Sequence, residues 1–250
     1  MSARIALVTG VGRANGIGHA TVLALARDGW DVAFTFWRAY ERRVPLGADP
    51  ERDPERLEAA VEALGRRAIG IEADLADPET PERLIASIDE RLGPVDAIVL
   101  AHSESVDSGI LDTSVESFDR HFAVNTRAAW LLIRAFAGQA PGPGGRIVAF
   151  TSDHTVGNLP YGASKGALDR IVIAAARELA PLGITANVLN PGPVDTGWMD
   201  EATRTALAAH QPGGRLGTPE DAARLVRFLL SDDGRWISGQ LITSDGGFSV

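Results

Sequence analysis

The chain has 250 residues, a formal net charge of −9 and a pI near 5.1. The acidic balance argues against a nucleic-acid or anionic-membrane surface. The lack of cysteine excludes disulfides, thiolate metal sites and a cysteine nucleophile.

Short β-rich runs alternate with longer helical patterns. Residues 4–9 (RIALVT) read as a buried strand, followed by a glycine turn and an apolar-periodic helix over 17–28. The first apolar run is too short for a signal or a membrane span, so a cytoplasmic protein is the default. A strand over 31–36 leads into 37–54, charged and proline-bearing, which reads as a long loop. Helix 54–64, strand 67–72, helix 79–91 and strand 95–100 follow. Residues 114–138 read as one long helix or two abutting ones, and Gly142-Pro143-Gly144-Gly145 as a turn before strand 146–151. Pro160 opens a helix over 161–180, strand 184–189 follows, and Thr218 with Pro219 and Glu220 introduces a helix over 219–231 before a last strand at 240–244. Strands separated by helices imply parallel pairing with right-handed crossovers. The expectation is a single α/β domain over 1–250, a doubly wound parallel sheet of about seven strands with helices on both faces.

The first strand runs into Thr9-Gly10-Val11-Gly12-Arg13-Ala14-Asn15-Gly16-Ile17-Gly18. Glycines let the backbone approach a pyrophosphate closely, and the helix that follows offers free N–H groups. At the first strand-to-helix junction this points to a Rossmann-type dinucleotide site. The second strand ends at Phe36-Trp37-Arg38 with no acid between Val32 and Arg38. An acid there would hold the ribose 2′-hydroxyl of NAD, whereas an arginine accommodates the 2′-phosphate of NADP. Arg13 and Arg38 therefore favour NADP(H), with NAD(H) left open.

Among 24 basic residues only Lys165 is a lysine, and it lies four residues after Tyr161, one of two tyrosines. On a helix such positions share a face. A cation near a phenol favours phenolate and brings a group of pKa ~10 toward useful proton chemistry. The plain alternative is a surface lysine paired with Asp169.

Together these pieces resemble the short-chain dehydrogenase/reductase family, and most closely its 3-oxoacyl-carrier-protein-reductase-like members. Thr9-Gly10 and Gly16-Ile17-Gly18 resemble the cofactor motif with two extra residues inside it. Tyr161-Gly162-Ala163-Ser164-Lys165 is similar to the catalytic Tyr-x-x-x-Lys, and Ser244-Asp245-Gly246-Gly247 to the C-terminal signature. The resemblance implies hydride transfer between nicotinamide and a carbonyl or secondary alcohol. Tyr161 would be the general acid or base, Lys165 the ribose anchor that lowers the Tyr161 pKa, and Asn125 the anchor of a water near the lysine. It also implies that Asp74 and Leu75 flank the adenine, and that Pro191, Gly192, Pro193, Val194 and Thr196 contact the nicotinamide. It further suggests a homotetramer acting on a small-molecule carbonyl.

The chain departs from the family pattern in two places. The catalytic serine usually lies thirteen residues before the tyrosine, a position held here by Val148. Ser152 ends the strand instead, which a four-residue shortening of the loop 153–160 would explain; Thr151 and His154 are weaker substitutes. After the fourth strand, Leu100-Ala101-His102-Ser103 stands where the family often has Asn-Asn-Ala-Gly. The backbone path of Ala101 and His102 past the cofactor can survive this, with the His102 ring either packed or chemically active. The five histidines show no paired metal-ligand spacing, so no metal is expected. Residues 195–215, with Trp198 and Met199, read as a substrate-side lid.

Overall fold

A computed structural model describes residues 3–44, 49–139 and 144–250. Seven strands form one sheet in the order β3-β2-β1-β4-β5-β6-β7, every pair parallel. They are β1 (Ile5–Thr9), β2 (Asp31–Phe36), β3 (Ala68–Glu72), β4 (Ala97–Leu100), β5 (Arg146–Phe150), β6 (Thr185–Asn190) and β7 (Leu241–Thr243). The central strands are buried along their whole length, as expected of a parallel sheet covered on both faces. Side chains alternate across it. Leu7, Ile98 and Ile147 face one core with helices α4 (Thr80–Arg91), α6 (Ala128–Gly138) and α7 (Leu159–Glu178). Val8, Phe34, Val99 and Val148 face the other with α1 (Ile17–Arg27), α3 (Asp53–Ala63) and α9 (Pro219–Leu230).

Two expectations, those for 37–54 and for the start of the helix at Pro160, need correction, and two others gain detail. The stretch 37–54 is not all loop: α2 (Arg38–Arg43) occupies its start, and α3 begins at Asp53. The pattern 114–138 is interrupted, with α5 (Val115–His121) and α6 joined by one π-helical segment, Phe122–Arg127. Such segments insert a residue into the helix and re-aim its side chains. Here the re-aimed residue is Asn125. The stretch 195–215 contains α8 (Glu201–His210), capped by the Asp200 carboxylate accepting from Thr203 N at 2.8 Å. Helix α7 starts at Leu159, with Pro160 inside its first turn. The proposed turn residues Gly142 and Pro143 lie outside the described residues. The α9 cap is as expected and more complete: Thr218 and Asp221 form a reciprocal capping box.

Candidate active site

The strand order reverses between β1 and β4, and ligands in such sheets bind beyond the carboxyl ends of the strands at that point. A cavity of about 800 Å³ opens there. Its floor is the β1–α1 turn. Gly10 has φ +74°, and a Cβ on it would stand 2.5 Å from His102 Cα and 2.6 Å from Ala101 O, so only glycine lets the two strand exits pass this closely.

Helix α7 supplies the reacting pair. Tyr161 and Lys165 line the cavity one turn apart, with Lys165 Nζ 5.7 Å from the phenol ring centre. Lys165 is 3% exposed and donates to the Phe150 carbonyl at the end of β5, at 2.9 Å. Burial holds its ammonium down at about 8, with Asp169 opposing the drop. Burial pushes the Tyr161 phenol above its ordinary range, Ser152 and then Ser103 pull it back by hydrogen bonding, and Asp153 adds to the rise. The expected lowering of this pKa is therefore reversed in the structure, because desolvation outweighs the hydrogen bonds.

Ser152 lines the same cavity as Tyr161, and its hydroxyl draws the phenol pKa down. Its hydroxyl accepts from His154 N at 3.1 Å, leaving its proton available. Thr151 is turned away, its hydroxyl 3.5 Å from Lys165 O, and His154 is exposed at the cavity wall. Asn125 is 1% exposed and fully engaged. Its Oδ1 accepts from Glu104 N at 2.7 Å, and its Nδ2 donates to Glu104 O and Ser164 Oγ, each at 2.9 Å. It thus braces the exit of β4 against α7.

The His102 ring is packed between Val124 O (3.0 Å) and Thr9 Oγ1 (2.6 Å). A nitrogen facing a carbonyl must carry the proton, so Nε2 donates to Val124 and Nδ1 accepts from Thr9. Burial, reinforced by the Lys165 charge, holds this ring at about 3, so it is neutral. Both ring nitrogens are used by the protein, and the acid–base alternative falls away.

The expected cofactor residues divide. Gly10, Gly12, Arg13, Gly16, Ile17, Gly18, Trp37, Asp74, Leu75, Ala101, His102, Pro191, Gly192, Val194 and Thr196 all line the cavity. Asn15 and Arg38 do not. Asn15 is exposed, and Arg38 is drawn off by Glu72 (2.5 Å) and Glu51 (3.4 Å). Arg13 is 8% exposed, pairs with Glu41 at 3.0 Å and lies 5.1 Å from the Trp198 ring.

Comparison with known proteins decides the family. A family model described as enoyl-(acyl carrier protein) reductase matches residues 10–249. Versicolorin reductase 1 of Aspergillus parasiticus is 35% identical, covering 99% of this chain and 97% of its own. A short chain dehydrogenase from Burkholderia cenocepacia in complex with NADP aligns with TM-score 0.87 at 35% identity, over 100% of this chain and 99% of that one. The chain belongs to the short-chain dehydrogenase/reductase family. A metagenomic blue fluorescent protein in complex with NADPH is also similar in structure, with TM-score 0.88 and 34% identity over 100% of this chain and 99% of that one. The protein is thus an NAD(P)-dependent oxidoreductase of the short-chain dehydrogenase/reductase type. No described helix is long and apolar enough to cross a membrane.

The residues present fit a nicotinamide dinucleotide. The Gly10 turn admits no side chain, so this part of the floor is bare backbone where a pyrophosphate needs it. Among the described residues Arg13 Nη1 and Tyr40 Oη have no hydrogen-bond partner, and both residues line the cavity. Tyr40 and Glu41 escaped the sequence reading because they lie on α2, inside the stretch taken as loop. Glu104, 2% exposed and paired with Arg43 and Arg120, was missed as well. The one available signal was Tyr40 itself, the second of two tyrosines, in a segment otherwise built of helix-favouring Arg, Ala and Glu.

Proposed function

We propose that the protein is an NADP(H)-dependent ketoreductase, converting a carbonyl to a secondary alcohol. The observation that carries this reading is that Tyr161, Ser152 and a buried Lys165 line one cavity. When bound, the nicotinamide supplies the hydride. Tyr161 holds the proton at Oη, and burial keeps it there at neutral pH, which suits an acid in reduction. Ser152 donates a hydrogen bond to the carbonyl oxygen as that oxygen gains charge. The Lys165 ammonium stabilises the phenolate left after proton transfer, and its Nζ anchors the ribose hydroxyls. Trp198, whose ring is 6.4 Å from that of Tyr40, begins the cover formed by 195–215.

Preference for NADP(H) rests on Arg13, supported by Tyr40, with Arg38 spent elsewhere. Versicolorin reductase among the relatives supports ketone reduction, and 3-oxoacyl thioesters are one member of that class. A second reading, NAD(H) dependence, rests on Glu41, which packs against Gly12 where a ribose hydroxyl would need an acceptor. The reading carries with it a homotetramer in the cytoplasm, to be checked by light scattering and fractionation.

Wild type and Tyr161→Phe are to be assayed on ketones, diketones and 3-oxoacyl thioesters with NADPH and with NADH. Loss of at least about 100-fold in Tyr161→Phe is expected, and undiminished turnover would defeat the mechanism. Arg13→Ala should raise the KM for NADPH selectively, and Arg38→Ala should change it little. Equal use of NADH and NADPH, indifferent to Arg13, would favour the second reading.

A further inference from the structure

We infer that Phe248, on the segment after β7, is a specificity-determining wall of the substrate pocket, and that the ketone taken by this enzyme carries an apolar ring body that lies against Phe248 and helix α8. This rests on the reading of the cavity as a ketone-reducing site. Helix α8 is not a core helix: none of its residues is buried, and none joins either core. Yet Thr203 and Leu207, one turn apart on it, line the cavity. The apolar Leu207 therefore borders the space a substrate would fill and has no core to join.

Phe248 also lines that cavity and is held firmly. Both its neighbours in sequence are pinned by one carboxylate. Asp245 Oδ1 accepts from Gly247 N and Asp245 Oδ2 from Ser249 N, each at 2.9 Å. The Phe248 ring meets His210, the last residue of α8, edge-on, with ring centres 5.0 Å apart and planes at 73°. The next residue, Gln211, is 6% exposed and donates from Nε2 to Asp245 O at 2.9 Å. Asp245 in turn lies so close to Gly192, in the segment expected beside the nicotinamide, that a Cβ there would stand 2.4 Å from its own. The end of α8, the Phe248 turn and the Gly192 turn thus form one packed unit. Trp198 serves another part of the cavity, since its ring turns to Tyr40 and Arg13.

An apolar ring gains from such a wall in proportion to the area it removes from water. A polyhydroxylated body would leave hydroxyls unpaired against Leu207 and Phe248, at a cost. The gain is made away from the carbonyl, so it goes into holding that carbonyl at Tyr161.

A matched pair of ketones tests this. 2-Tetralone is cyclohexanone with a benzene ring fused to it, so the two share a ring ketone and differ in apolar body. The ratio of their kcat/KM values with NADPH is to be measured. Wild type should prefer 2-tetralone at least about 10-fold, because even one methylene in an apolar pocket is worth that much. Phe248→Ala should lower the ratio at least about 5-fold, and Phe248→Leu, which keeps apolar bulk, should recover most of it. No preference in wild type, or a loss in Phe248→Ala that falls equally on both ketones, overturns the inference. Binding gives a second readout without turnover. Saturation-transfer NMR titration of 2-tetralone into NADPH-loaded Tyr161→Phe should show affinity about 10-fold weaker once Phe248→Ala is added, and equal affinity overturns the inference. If wild type reduces neither ketone, the ketoreductase reading fails, and this titration still decides on Phe248.

Discussion

Replacing Lys165 by methionine should make the protein more stable and inactive. The ammonium is 3% exposed and has one hydrogen-bond partner, the Phe150 carbonyl. Holding it at about 8, against an ordinary 10.5, costs about 3 kcal/mol at pH 7, where it is charged in both folded and unfolded chains. Methionine has a similar unbranched stem and no charge to desolvate. Leaving the Phe150 carbonyl without its donor returns about 1 kcal/mol of that gain. A net gain of about 2 kcal/mol remains, or a rise in Tm of about 4–8 °C for a chain of this length. The pH dependence has a definite sign. Because the folded pKa is the lower one, the native state releases its proton first, and wild-type stability rises with pH between about 8 and 10.5. The advantage of Lys165→Met should therefore be full at pH 7 and shrink toward pH 10. Calorimetry of both proteins at pH 7 and pH 10 measures it. A variant that melts at or below wild type at pH 7, or a gap independent of pH, would refute the claim that this amine is held at an energetic cost.

Three further outcomes are expected. Lys165→Arg should lower turnover at least about 100-fold, since a planar fork cannot replace a compact ammonium over the Phe150 carbonyl; steady-state kinetics checks it. Gly10→Ala should abolish NADPH binding measured by fluorescence titration and lower Tm, because its Cβ would meet His102 Cα at 2.5 Å with φ at +74°. Asp221→Ala should cost about 1 kcal/mol by removing the α9 capping box. The Asp221 carboxyl is held down at about 2, first by Arg215, so its contribution is present above its ordinary 3.8 and lost as pH falls toward 2. Acid unfolding of the variant should accordingly begin with less to lose than that of wild type.

The sheet was legible because its strands are buried on both faces and therefore appear as continuous apolar runs such as IALVT and DVAFTF. Tyr161 and Lys165 were legible because one helical turn separates them and the chain has no other lysine. Helices α2 and α8 were not. RAYERR has no apolar stripe, and α8 buries no residue, so hydrophobic periodicity had nothing to register. Losing α2 also hid Tyr40 and Glu41, of which Glu41 pairs with Arg13. Asn125 reaches 21 residues back to Glu104, a contact that leaves no local pattern. Arg38 is a related case: it follows β2 as expected, and Glu72 on the neighbouring strand pairs with its guanidinium, a contact the sequence does not announce.

The π-helical segment Phe122–Arg127 carries one residue more than an α-helix would need to join the same two ends. Each residue of an α-helix advances the side-chain direction by about 100°. Deleting one residue ahead of Asn125 would let α5 and α6 close into an uninterrupted helix with better backbone geometry, while swinging the Asn125 amide away from Glu104 and Ser164. The irregularity therefore works as a phase setting: local regularity is given up so that one amide meets the strand exit and the catalytic helix at once. A more regular helix here would be one residue shorter and would lose its alignment with the site.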